Sequence, residues 1–388
     1  MTEAASRIAL AAVAVSLLLS ACGGADKVKP AKLTDIAETS ALSSVSATVA
    51  WTSKVGENTE RNALRLSPYV TEKSVFAVDT EGKLSSYNRQ TGETEWTVEL
   101  DRNITAGVNG DDKNIYVASG NGEVFAISQA IGGTLWTSNV SSEVIAAPVA
   151  GSDFIVVRSI DGKVYALEKS SGARRWIYSY AVPALSLHGN SRPLVAADGV
   201  LVGLDNGNLV ALRALDGRVF WQVPLGDRNG RSEVENLNDL DADLQIFDPH
   251  IYAVNYQGNL AQIDAAQGRP LWSSEVSSVT GLTVTEEVVV VTDEFDTLRA
   301  FNRTDGEVVW TQDLLSNRRL TRPVSIGLDL FAVGDFEGVL HIVSITDGTI
   351  VARLRTGVGA ITAAPVRLDG NIYVQGKNGK LASIALSR

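Results

Sequence analysis

Short runs of apolar residues, separated by pairs of turn-forming residues, follow one another down most of this chain. One stretch reads Phe154-Ile-Val-Val-Arg158, then Asp161-Gly162, then Lys163-Val-Tyr-Ala-Leu167, then Ser171-Gly172, then Ala173-Arg-Arg-Trp-Ile177. Runs this short, bounded by Gly-containing dipeptides, read as β-strands joined by tight hairpins, whose turns need positive φ. A further apolar run upstream, such as Val144 to Val149, makes each unit a four-stranded meander. No helical period persists across a unit.

The unit recurs with a fixed frame of two glycines and a tryptophan. The frame is Gly82, Gly92, Trp96; Gly122, Gly132, Trp136; Gly162, Gly172, Trp176; Gly207, Gly217, Trp221; and Gly258, Gly268, Trp272. A sixth copy has Asp296 in place of the first Gly, with Gly306 and Trp310. A seventh keeps Gly338 and Gly348 but has Ala352 for Trp, and an eighth opens at Gly379. Four strands repeating over roughly 40 residues describe a propeller blade, whereas a β-helix repeats over fewer residues per rung. The last unit, Pro365 to Ile384, lacks a fourth strand and a Trp, while Trp51 lies in a strand-like stretch at about residues 47 to 54. The predicted fold is therefore all-β: an eight-bladed β-propeller with four-stranded blades, the last blade closed by an N-terminal strand. Such closure removes the open sheet edge. All seven tryptophans (Trp51, Trp96, Trp136, Trp176, Trp221, Trp272 and Trp310) hold repeat positions. That regularity reads as docking between blades rather than as a stacking platform for a ligand.

The first residues read differently. Arg7 precedes an apolar stretch, Ile8 to Leu19, ending in Leu19-Ser20-Ala21-Cys22. This is the pattern of a secretory signal, too short to span a bilayer comfortably. Its end looks like a bacterial lipobox, with Cys22 as the lipidated residue. Cys22 is the only cysteine in 388 residues, so no intrachain disulfide can form. The expected organisation is a signal peptide over 1–21, a lipidated Cys and flexible tether over 22–45, and the propeller over 46–388. Gly23 after the Cys, rather than Asp, points to the periplasmic face of the outer membrane. Removal of 1–21 takes away one acid, Glu3, and one base, Arg7, so the net charge of −11 persists. An acidic body of this kind disfavours nucleic acid.

Departures from the repeat carry the functional information. Successive first-Gly positions lie 40, 40, 45, 51, 38, 42 and 41 residues apart. Two neighbouring connections are thus lengthened, Tyr180 to Arg192 and Pro224 to Asp243, and both must emerge on the same face of the ring. The first places Leu185 and Leu187 between Pro183 and Gly189, and the second is strongly acidic. Leucines beside acids suggest an apolar anchor with a charged rim. Asp239, Asp241 and Asp243 alternate like the first ligands of a calcium loop, but Leu244 stands where the turn Gly belongs and His250 where the bidentate Glu belongs. No metal is expected. The three histidines, His188, His250 and His341, lie in different blades, and the nucleophile-elbow, P-loop and dinucleotide motifs are absent. No catalytic residue is predicted.

The unit Gly162-Lys-Val-Tyr-Ala-Leu-Glu-Lys-Ser-Ser-Gly-Ala-Arg-Arg-Trp176 resembles the repeats of pyrroloquinoline quinone (PQQ) dehydrogenase propellers, and the resemblance covers residues 46 to 388. Those enzymes typically carry vicinal cysteines beside the quinone, which a chain with only Cys22 cannot provide. A more specific resemblance is to the BamB family, lipoproteins of the outer-membrane β-barrel assembly machine (the Bam complex). Pro183-Ala-Leu-Ser-Leu-His-Gly-Asn-Ser-Arg-Pro193 is similar to the family's Leu-x-Leu-Arg-Gly segment, and Leu237-Asn-Asp-Leu-Asp241 to its Leu-Ser-Asp-Val-Asp segment. Trp310-Thr-Gln-Asp-Leu-Leu315 and Gly334-Asp-Phe-Glu-Gly338 are also similar to segments of that family. The resemblance implies a non-enzymatic scaffold without cofactor, whose two loops hold the periplasmic POTRA region of BamA. Position by position, it implies partner contacts at Leu185, Leu187, His188, Asp239 and Asp241. His188 stands where the family has Arg, which exchanges a fixed cation for one mostly neutral at pH 7. Unfolded outer-membrane proteins are a further expected partner class, reached by strand addition at a blade edge. Two alternatives remain: a quinone or other small molecule in the central channel, and a lectin-like glycan binder, whose mark of Trp outside the repeat positions is absent.

Overall fold

The computed structural model describes residues 29–33, 45–57, 64–187, 191–226, 237–327 and 329–387. These form eight four-stranded antiparallel sheets and no helix. Seven sheets are meanders of consecutive strands, within residues 69–99, 109–139, 149–179, 194–224, 245–275, 281–312 and 324–355, and are numbered blades 1 to 7 in that order. Blade 8 combines Val366–Leu368, Asn371–Gly376 and Lys380–Ser387 with the N-terminal strand Ser46–Lys54. That strand pairs antiparallel with the last one, Ser46 opposite Ser387 and Lys54 opposite Lys380. The eight-bladed ring, shut by its two chain ends, is the architecture the repeat predicted.

Burial explains the two kinds of strand pattern. The two middle strands of a blade lie between neighbouring blades on both faces, so they read as near-continuous apolar runs. Phe154–Ser159 is buried throughout, and Lys163–Glu168 is buried at all but its ends. Outer strands such as Thr94–Glu99 and Pro270–Glu275 alternate between exposed and half-buried positions, because only one face meets the next blade. The core is consequently a series of apolar clusters between successive blades. One cluster joins Phe154, Val156 and Trp176 of blade 3 to Val200, Val202 and Val210 of blade 4.

A single contact repeats at seven of the blade junctions. The indole N–H of each Trp donates to a backbone carbonyl of the following blade: Trp51 to Arg89, Trp96 to Gln129, Trp136 to Lys169, Trp176 to Ala214, Trp221 to Ala265, Trp272 to Arg303 and Trp310 to Ile345, at 2.8 to 3.2 Å. The indole face covers the second glycine of that next blade's frame. At Gly268 a Cβ would lie 2.4 Å from Trp221 Cδ2, and φ there is +68°. Both facts exclude a side chain, which is why Gly and Trp recur together. Each outer strand also carries a β-bulge one residue before its Trp position, including the N-terminal strand, where the register shifts between Val49 and Trp51. Trp51 therefore serves as the tryptophan of blade 8. Blade 7 alone has Ala352 at this position. It faces the one blade whose outer strand is not reached through a hairpin, so no second glycine awaits an indole.

The N-terminal region departs from expectation. Cys22 and the signal segment 1–21 lie outside the described residues, as do 34–44. Residues 29–33, expected to belong to a flexible tether, are packed on the ring instead: the Ala31 amide donates to the Ser316 carbonyl at 2.9 Å, and Leu33 joins the cluster of blades 6 and 7. Val45, at the expected end of the tether, is buried between blades 7 and 8.

Two alanine substitutions separate backbone strain from steric conflict. Gly370 has φ +83° with nothing within 4 Å of the place a methyl group would take, so Gly370→Ala is expected to cost about 1 kcal/mol from the left-handed backbone alone. Gly268→Ala adds collision with Trp221 and is expected to cost about 1–3 kcal/mol more. Urea unfolding midpoints of the two variants would measure the difference; equal midpoints would contradict the docking role given to the glycine.

Candidate partner-docking surface

In each meander, the turn between the second and third strands and the connection to the next blade emerge on the same face of the ring. The two lengthened connections, from blade 3 to 4 and from blade 4 to 5, stand side by side there. Sequence spacing identified both, but the structure gives them unequal parts.

The described portion of the second connection is sunk into the ring. Leu237, Asn238, Asp239, Leu240, Asp241 and Ala242 are all buried. Leu240 packs with Leu209, Leu225 and Leu244, and its amide donates to the Leu204 carbonyl at 3.3 Å. It also occupies the space over Gly203, where a Cβ would lie 2.6 Å from Leu240 Cδ2. The charged rim expected from these acids is therefore not at the surface: Asp239 is 1% exposed and Asp241 7%. The apolar leucines around them draw the segment inward, and the carboxylates go with it.

The first connection lies over the second. Asp239 Oδ2 accepts from the Ser186 hydroxyl at 2.7 Å and from the Leu187 amide. Further along, Arg192 grips Asp243 through its backbone amide (2.9 Å), Nε (2.9 Å) and Nη2 (2.6 Å). The loop presents Leu185 and Leu187 to solvent, at 41% and 43% exposure. Two leucines exposed on a segment that the Asp239 carboxylate grips through the Ser186 hydroxyl and the Leu187 amide form an apolar patch on the loop face. His188 lies outside the described residues.

Beneath the loops is a charged network that the sequence did not reveal. Asp205, in the turn between the second and third strands of blade 4, brings its carboxylate close to those of Asp239 and Asp241, one oxygen of each lying within 4.8 Å of the others. Buried Arg158 pairs with Asp205, and the Tyr180 hydroxyl donates to Asp205 Oδ2 at 2.9 Å. The calcium-like alternation of Asp239, Asp241 and Asp243 is thereby broken, since Asp243 turns to Arg192 and Asp205 takes its place beside the other two. Burial pushes the Asp239 carboxyl up, against the hydrogen bonds from Ser186 and Leu187. Asp241 is pushed up to about 7, by burial first and then by the charge of Asp239. Asp243 is held low despite burial, because Arg192 and Arg322 stand beside it. The one signal in the sequence was Arg158 itself, a charge inside an otherwise apolar strand; nothing marked Asp205 or Tyr180.

On the ring axis, Arg65, Arg192, Arg322, Asp241, Asp243 and Thr280 help to line a cavity of about 90 Å³. Small-molecule sites usually enclose about 300–1,000 Å³. This cavity has room for a few waters rather than for a tricyclic quinone.

Fold and surface together define an eight-bladed propeller of quinoprotein-type repeats, with a built loop surface on one face. A family model described as outer membrane protein assembly factor BamB matches residues 80–312 and 294–388. BamB of Alkalilimnicola ehrlichii is 46% identical over 381 residues, covering 98% of this chain and 97% of that protein. BamB of Pseudomonas aeruginosa is 39% identical over 378 residues, with 97% and 98% covered. The crystal structure of BamB from Moraxella catarrhalis superimposes with a TM-score of 0.81 at 29% identity, covering 88% of this chain and 100% of that one. The chain belongs to the BamB family. A quinohemoprotein alcohol dehydrogenase from Comamonas testosteroni, with a TM-score of 0.71 at 13% identity over 87% of this chain and 76% of its own, shares the fold alone.

The buried acids make stability pH-dependent. Folded Asp241 titrates at about 7, above the unfolded value near 4, so between these pH values the folded state holds a proton that the unfolded state releases. Stability contributed by this group is full below about pH 4 and is lost as pH rises through about 7. Asp241→Asn removes the ionisation and is expected to be more stable than the parent at pH 8, by up to about 4 kcal/mol, the bound set by titration near 7 against an unfolded value near 4. Near pH 4 the gap should close. Urea unfolding across about pH 4 to 8 would check this, and parallel profiles for the two proteins would contradict it.

Proposed function

We propose that this chain is a non-enzymatic, lipid-anchored scaffold at the periplasmic face of the outer membrane, which binds the POTRA region of BamA and assists the folding and insertion of outer-membrane proteins. Family membership supports the assembly role. The observation that carries the contact is the pair Leu185 and Leu187, exposed on a loop whose backbone is held by the buried Asp239 carboxylate. An apolar anchor already fixed in shape loses little conformational entropy on binding. Leu185 and Leu187 act as the anchors, and Asp239 acts from below by holding the loop, with Asp241 buried beside it. His188, at the position where the family has Arg, supplies a cation only when protonated. Cys22 carries the lipid that keeps the ring at the membrane, and unfolded clients reach the assembly machine beside it.

Titration of the mature chain against the periplasmic region of the same organism's BamA tests this reading. Leu185→Asp with Leu187→Asp is expected to weaken binding by about 100-fold or more, as for paired interface anchors. Asp239→Asn, which keeps the shape but weakens the grip on the loop, is expected to cost about tenfold. Absence of binding by the parent protein, or full binding by the double leucine variant, would overturn the proposal. In a second titration, His188→Arg should tighten binding several-fold at about pH 7.5 and leave it unchanged at about pH 5.5, where the histidine is itself charged. Equal effects at both pH values would remove His188 from the contact.

A further inference from the structure

One departure of the sequence from its repeat and two segments similar to those of the family meet at one place away from the leucine loop. Asp296 replaces the first glycine of blade 6, and the segments Trp310-Thr-Gln-Asp-Leu-Leu315 and Gly334-Asp-Phe-Glu-Gly338 flank the same connection. In the structure, Asp296 accepts from the amides of Arg319 and Leu320 at 2.7 and 2.8 Å, fixing the connection from blade 6 to blade 7. Arg318, between Asn317 and Arg319, which both have positive φ, points into the ring. Its buried guanidinium is shared by Asp335 Oδ2 (2.8 Å from Nε) and Glu337 Oε2 (2.6 Å from Nη2), and lies over the Phe336 ring at 5.1 Å. Non-glycine residues in the left-handed region cost free energy, so two of them around one arginine mark a conformation the surroundings enforce.

The N–H that these acids leave over meets the N-terminal segment. Arg318 Nη1 donates to the Ala31 carbonyl at 2.8 Å, and the Ala31 amide donates to the Ser316 carbonyl at 2.9 Å. Leu33 packs against a cluster that includes Leu315, Leu320 and Phe331. Ala31 and Leu33 are half-buried while Pro30 and Lys32 are exposed, the period of an extended strand.

We propose that this site is a dock for the chain's own tether, which shortens the leash between lipid and ring and holds the loop-bearing face toward the membrane. The inference rests on lipidation of Cys22. From Cys22 to Ser46, where the propeller begins, an extended chain could reach about 80 Å; from Cys22 to Lys29 it reaches about 25 Å, at about 3.5 Å per residue. Docking also changes the face of departure. Ser46 opens the outer strand of blade 8 at the end far from the Lys54–Lys380 pair, and so on the face opposite the long loops. The dock at Ser316 and Arg318 lies in a connection between blades, on the face where Leu185 and Leu187 stand.

Two readouts test the dock and its consequence separately. The Lys32–Leu33 bond should resist trypsin in the native mature protein and be cut about tenfold faster or more in Leu33→Ser, with Leu33→Met restoring resistance. Unchanged thermal midpoints would show that the ring is intact. Equal cutting of parent and Leu33→Ser would overturn the dock. For orientation, the lipidated protein on phosphatidylethanolamine and phosphatidylglycerol vesicles would carry a donor dye at Glu294→Cys, on the loop face, or at Asp305→Cys, on the opposite face, with an acceptor lipid in the bilayer. Energy transfer should be greater from position 294 than from position 305, and Leu33→Ser should abolish the difference. Equal transfer from both positions in the parent would overturn the orienting role. Neither readout involves BamA, and failure of the parent to associate with vesicles would count against the lipid anchor while the trypsin result still judges the dock.

Discussion

The fold depends on the contact of an indole with a glycine across seven of its eight blade junctions. A tryptophan on one outer strand covers the backbone of the next blade's last hairpin, and its N–H meets a carbonyl there, as for Trp136 over Gly172 with Lys169 accepting. Burying an indole removes about 150–250 Å² from water, which contributes roughly 4–6 kcal/mol as an upper bound at about 25 cal/mol per Å². The glycine is required because the turn needs positive φ and leaves no space for a methyl group. Because seven junctions use the same pair, blades can be added in series until the chain ends meet. Trp51 extends the rule to the closing strand, and Ala352 appears at the junction where the rule has no glycine to act on.

With the ring held this way, the loops of one face are free to differ without disturbing the strands. The two long connections use that freedom to set buried charge beneath exposed leucines. Gathering Asp205, Asp239 and Asp241 under low solvent exposure opposes stability, and the Arg158 guanidinium offsets only part of the cost. In return, the Asp239 carboxylate fixes the backbone around Leu187. On the proposed reading, such a surface is built before a partner arrives.

The fold was legible in the sequence to within a few residues, because Gly-Gly-Trp spacing and hairpin turns are local signals repeated many times. The closing strand was legible too, since Trp51 lacked a unit and the last unit lacked a Trp. The two long loops showed as irregular spacing, and Leu185 and Leu187 showed as leucines in a turn-rich segment. The burial of Asp239 and Asp241 was not legible, because it depends on where Leu240 packs against blade 4. Asp205, Arg158 and Tyr180 come from separate stretches and meet only through the ring's geometry. The packing of Ala31 and Leu33 on blades 6 and 7 is equally long-range, and composition alone suggested a free tether.

The proposed docking of BamA on a preformed loop surface predicts a clear record in amide hydrogen exchange, measured on the mature chain with and without the periplasmic region of BamA. Added protection should concentrate at residues 184–187 and their neighbours in the first long loop, while the strands of all eight blades exchange as before. Protection spread over the blades, or confined to the opposite face of the ring, would contradict the preformed surface.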